Sequence, residues 1–136
     1  MVRKLIVETI AKLESCRHQE LRAGFVTLIL SEDSLEPSEV ETLARRLLEI
    51  GCNEFCILCS NANEIHDGLD RMLEDDSRFD VPTSDFETED DALEYFLFGS
   101  GAGMNDMLAL VTNDAAARDI RARIISASTA PLVALD

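Results

Sequence analysis

Cys56 and Cys59 form a CxxC, a spacing that can exchange disulfides or hold zinc. Redox work needs the first thiolate exposed at a helix N-terminus. Here the pair lies inside the apolar run Phe55-Cys56-Ile57-Leu58-Cys59. Such a run is strand-like, and strand positions three apart point to opposite faces of a sheet. The expectation is therefore of reduced, buried thiols, and the same holds for Cys16 and Cys52. Zinc is disfavoured too, because His18 and His66 lack the paired spacing of four-coordinate sites. In Cys16-Arg17-His18 the basic neighbours would lower a thiol pKa. That trio closes the first element ahead of a loop, so chance adjacency is the simpler account.

Other chemistry-bearing patterns are incomplete. There is no G-x-S-x-G elbow, and neither histidine has an evident acidic partner with a nucleophile at a strand end. Glu32-Asp33 with Thr112 matches part of a phospho-receiver constellation, but receivers need a late lysine and none follows Lys12. The Gly-Ser-Gly-Ala-Gly loop at 99–103 joins a helix to a strand, whereas a phosphate cradle joins a strand to a helix N-terminus. It reads as a helix stop and a tight return. Arg118, Arg121 and Arg123, at spacings of three and two, do not share one helix face. They suit ion pairing or the helix dipole. No catalytic residue is assigned, and a non-enzyme is expected.

These residues have to be positioned by an alternating pattern of elements. Val2, Leu5, Ile6, Ile10 and Leu13 have helical spacing, so residues 1–17 are expected to form an amphipathic helix. Residues 1–22 as a whole would then be an N-terminal helical segment. Phe25–Leu30 is a short apolar strand. A helix follows from Pro37, with Glu36 as its cap, and ends at Gly51. Then come a strand at 54–59, a helix at 63–74, a short strand at 83–87 and a helix at 90–98 introduced by Thr88. A strand at 107–112, a helix from Asn113 or Asp114 to Ala127 and an edge strand at 131–135 complete the order. Units of about 30 residues predict an α/β three-layer sandwich, with a mostly parallel sheet of four or five strands and helices on both faces. At 136 residues, one domain is expected.

Charge supplies the functional expectations. The chain carries −15, and residues 64–94 alone hold thirteen Asp or Glu against two Arg. That balance opposes direct nucleic-acid binding. Much of it is explained by a wet helix face (Glu64, Asp67, Asp70, Glu74) and an acidic helix start (Glu89, Asp90, Asp91). The remainder, Asp75, Asp76, Asp80, Asp85 and Glu87, is the expected surface for a basic protein partner. The leading expectation is a regulatory, immunity- or antitoxin-like binding protein.

In an open parallel sheet, ligands sit beyond the strand carboxyl ends. The alternative is therefore a small-ligand or Mg²⁺ site, in an enzyme or a binding protein, using Glu32, Asp33, Asn61, Asn63, Asn113 and Asp114. The same residue types also cap helices. No other cofactor is expected. The apolar runs are too short for a membrane span, and 1–17 lacks the features of a secretory signal, so the cytoplasm is expected. The N-terminal segment has two places to go, its own sheet or a second subunit's, which leaves a homodimer open.

The run Thr83-Ser84-Asp85-Phe86-Glu87-Thr88-Glu89-Asp90-Asp91-Ala92-Leu93-Glu94-Tyr95-Phe96-Leu97-Phe98 takes an acidic turn into an aromatic helix. Over residues 26–121 the chain resembles a family of small acidic bacterial α/β proteins of uncharacterised function. The acidic turn lacks the Trp and His of that pattern. The resemblance implies the fold and a bacterial source, and brings no activity with it.

Overall fold

The computed structural model describes residues 2–135. It contains one six-stranded sheet, all parallel, in the order β4-β3-β2-β5-β1-β6. The strands are β1 (Arg3–Thr9), β2 (Phe25–Leu30), β3 (Cys52–Leu58), β4 (Thr83–Asp85), β5 (Met107–Val111) and β6 (Leu132–Leu135). The helices are α1 (Pro37–Glu49), α2 (Ala62–Asp75), α3 (Glu89–Glu94) and α4 (Asp114–Ala127). α3 runs on as a π-helical turn at Tyr95–Gly99, then a 3-10 turn at Ser100–Gly103.

The expected α/β architecture is present, with six strands where four or five were expected. The extra strand is β1, which replaces the expected N-terminal helix. The helical spacing of Leu5, Ile6, Ile10 and Leu13 misled because a strand buried on both faces shows no alternation. Leu5 packs into one core and Ile6 into the other. Two 3-10 turns, Ile10–Ser15 and His18–Glu20, then carry the chain to β2.

One core lies under α1 and α2, with Phe25, Ile29, Leu47, Phe55, Ile65 and Leu69. The other lies under α3 and α4, with Leu28, Cys56, Phe96, Met107, Ile120 and Ile124. The connections β1–β2, β2–β3 and β3–β4 step one way along the sheet and cover the first face. β4–β5 and β5–β6 step back and cover the second, as a single hand of crossover requires.

Local signals set the helix ends. The Glu36 carboxylate accepts from the Glu39 N–H at α1, and Thr88 and Asn113 cap α3 and α4 in the same way. Gly51, at φ 112°, ends α1 in the left-handed region.

Strand β5 enters between β1 and β2, and Asp106 fixes that entry. Its side chain is fully buried. It accepts the Lys4 N–H at 2.8 Å, the Arg22 N–H at 2.8 Å and the Arg22 guanidinium at 2.5 and 3.1 Å. Its own carbonyl accepts the Val26 N–H at 2.9 Å. Burial pushes this carboxyl up, but Arg22 and the two backbone donors outweigh it and hold its pKa below the ordinary Asp value. A group depressed on folding contributes fully above its unfolded value, about 3.9, and loses that contribution as pH falls through the folded value. We expect Asp106→Ala to cost about 2–3 kcal/mol in urea unfolding. That is less than for a fully buried pair, because Arg22 is partly exposed. The deficit should shrink below pH 4.

Candidate functional site

β2 leads onto one face and β5 onto the other, so their carboxyl ends diverge. This is the switch point where an open parallel sheet leaves a crevice. A crevice of about 310 Å³ lies there. Ser31, Glu32 and Asp33 line it from the end of β2, and Thr112 and Asn113 from the end of β5. Glu89 comes from α3, and Ala115, Ala116, Asp119 and Ile120 come from α4.

Each wall has a local cause. Ser31 is buried, and its hydroxyl accepts the Asp33 N–H at 3.1 Å, turning the chain sharply after β2. That turn leaves Glu32 and Asp33 exposed at the rim. Asn113 caps α4 by accepting the Ala116 N–H at 2.8 Å. Ala115, Ala116, Asp119 and Ile120 follow at helical spacing, so they share one face of α4.

Four carboxylates therefore border the crevice: Glu32, Asp33, Glu89 and Asp119. Glu89 pairs with Arg123, which also reaches Asp90 at 2.7 Å. Among the described residues Glu32, Asp33 and Asp119 form no ion pair. Nor do three or more His, Cys, Asp or Glu side chains gather as a ready metal-ligand set.

The residues expected at the strand ends divide. Glu32, Asp33 and Asn113 meet in the crevice, with Asp114 beside it in an ion pair to Lys12 at 3.2 Å. Asn61 does not join them. Its amide accepts the Leu35 N–H and donates to the Leu35 carbonyl, both at 2.8 Å, stitching the loops after β2 and β3 together. Asn63 is exposed on the first turn of α2. Glu89 and Asp119 were missed as site residues. Asp119 follows Ala115 and Ala116 by four and three residues, which puts it on their side of α4, whereas nothing local brings Glu89 across from the β4–α3 connection.

The five acids between 75 and 87 are all exposed and run along the β4 edge. Asp75 and Asp76 stand at the C-terminus of α2, at the amino end of the strands, and Asp76 pairs with Arg45. Asp85 and Glu87 lie at the opposite end. Asp85 meets His66 Nδ1 at 2.7 Å, while His66 Nε2 lies 3.2 Å from Asp70. Asp80 precedes Pro82 and the three-residue β4.

The cysteines fall as the strand argument requires. Cys56 is buried in the α3/α4 core and Cys59 in the α1/α2 core. All four cysteines are free thiols, and burial raises every one of them, Cys52 to about 11.

A second polar cluster lies below the π-helical turn. Glu54 is buried on β3 and accepts the Tyr95 hydroxyl at 2.7 Å and the Gly101 N–H at 3.1 Å. Phe86 packs against the Tyr95 ring at 5.5 Å. The glycine-rich loop is thus anchored to the sheet by a carboxylate, at the end away from the crevice.

Comparison with protein-family models, characterised proteins and solved structures gives no match to this chain. No helix among the described residues is long and apolar enough to cross a membrane.

Two measurements check this geometry. Tyr95 is the only tyrosine and there is no tryptophan, so its phenolate absorbance can be titrated alone. The hydrogen bond to Glu54, with added desolvation, pushes its pKa up to about 12. A group raised on folding stabilises fully below its unfolded value, about 10, and loses that contribution as pH rises further. Glu54→Gln should return the transition toward 10. For the thiols, native-state labelling should reach half-buried Cys16 first, and Cys52 and Cys56 only on unfolding. Rapid native labelling of Cys56 would contradict its placement.

Proposed function

We propose that the protein is a non-enzymatic binding protein that takes a cationic group of a basic partner into the crevice between the ends of β2 and β5. The observation that carries this reading is the coincidence of the switch-point crevice with Glu32, Asp33, Glu89 and Asp119. A concave, polar-walled site at this place in an open parallel sheet is the usual location for a ligand. Its carboxylates select positive charge, and of the four only Glu89 is held in an ion pair among the described residues, to Arg123. The chain's net −15 steers a basic partner toward the whole surface, and the crevice supplies a defined seat on it.

This moves the expected contact from the five acids of the β4 edge to the strand ends. Two of those five already have partners within the chain, Asp76 with Arg45 and Asp85 with His66. An acidic, proline-flanked, three-residue edge strand is also a known device against edge-to-edge aggregation. That role needs no partner.

An Arg- and Lys-rich peptide, titrated by calorimetry, tests the reading. Binding should weaken with salt, and Glu32→Lys with Asp33→Lys should lower affinity by about tenfold or more. Charge reversal at Asp75, Asp80 and Glu87 should change it far less. If affinity follows the edge acids instead, the contact surface lies along β4. If neither set matters, the proposal fails.

A further inference from the structure

The two edges of the sheet are finished differently. β4 is three residues long, follows Pro82 and is surrounded by Asp80, Asp85 and Glu87. β6 is Leu-Val-Ala-Leu, also preceded by a proline, Pro131, but with no charge inside it, and among the described residues no strand lies on its outer side. Val133 is 47% exposed, and Val2, just before the residue paired with Leu132, is 45% exposed. Val133 pairs in register with Lys4 and points to the α1/α2 side, while Leu132 and Ala134 pack toward the other core. An apolar edge of this kind presents a row of backbone groups that is a ready template for pairing with another strand.

We propose that β6 is the interface of a homodimer, in which two β6 strands pair antiparallel about a twofold axis and continue the sheet across both subunits. Two features favour a second copy as the occupant. The strand is self-complementary, because an uncharged apolar segment paired with itself puts no like charges opposite each other.

The second feature is the distribution of charge. Each subunit carries −15, so copies repel wherever acid faces acid. The acidic β4 edge stands five strand spacings from β6, about 24 Å at 4.8 Å each. That exceeds the screening length of about 8 Å at physiological salt. Joining β6 edges sets the two acidic edges at the far ends of a continuous sheet, where their repulsion is smallest. The crevice stays open in this arrangement, because it lies between β2 and β5.

Sedimentation velocity on the full chain tests the proposal. A species of twice 15.1 kDa is expected at micromolar concentrations. Val133→Lys places charge at an exposed position, so it should give a monomer with unchanged far-ultraviolet circular dichroism. Val133→Cys should form an intersubunit disulfide under mild oxidation, since the twofold brings the two β6 strands side by side. Asp80→Lys with Glu87→Lys should leave the dimer intact. A monomer across the concentration range would overturn the proposal. So would a dimer indifferent to Val133→Lys, or a monomer that captures an unrelated strand peptide at β6.

Discussion

A single buried carboxylate, Asp106, holds together the three strands on which the rest of the sheet is built. It grips the start of β1 through Lys4, the approach to β2 through Arg22 and Val26, and is itself the entry to β5. The pairs it joins lie 84 and 102 residues apart in sequence. Parallel contacts at that separation carry a large loop-closure cost, so a strong, directional anchor at the point of entry matters. A buried charge is tolerated only when its hydrogen-bonding capacity is met, and here four donors meet it. Arg3 performs a related task nearby. Its guanidinium donates to the carbonyls of Leu97 and Asn105 at 2.6 and 2.7 Å, tying the π-helical turn to β1.

The position of β5 decides the rest. Had it followed β4 at the edge, every crossover would have run one way and one face of the sheet would have lain bare. Insertion between β1 and β2 sends the chain back across the second face, where α3 and α4 bury Cys56, Phe96 and Met107. The same reversal separates the ends of β2 and β5 and opens the acidic crevice. Site and second core share one topological cause. Charge follows the same map, since β4 and its flanking loops take much of the acid to one edge and β6 leaves the other nearly neutral.

Motifs that looked chemical in isolation became structural in context. The CxxC is split between two cores, and the glycine-rich loop is bound by Glu54 rather than by an anion. Asn61, a polar strand-end residue, ties two loops together through both ends of its amide. Such placements are hard to foresee because Ser, Asn and Asp satisfy backbone groups with the same atoms they would offer a ligand.

Periodicity, caps and turns were legible in the chain because they are short-range. Glu36, Thr88 and Asn113 cap their helices where local spacing put them, Gly51 stops α1, and the alternation of elements implied a parallel sheet. The sequence also placed Glu32, Asp33 and Asn113 at strand ends. Residues 3–9 misled because a strand buried on both faces carries no period-2 mark. Strand order, the burial of Asp106, the arrival of Glu89 at the crevice and the openness of β6 depend on contacts between distant segments. No local pattern encodes those contacts, so only the folded chain decided them.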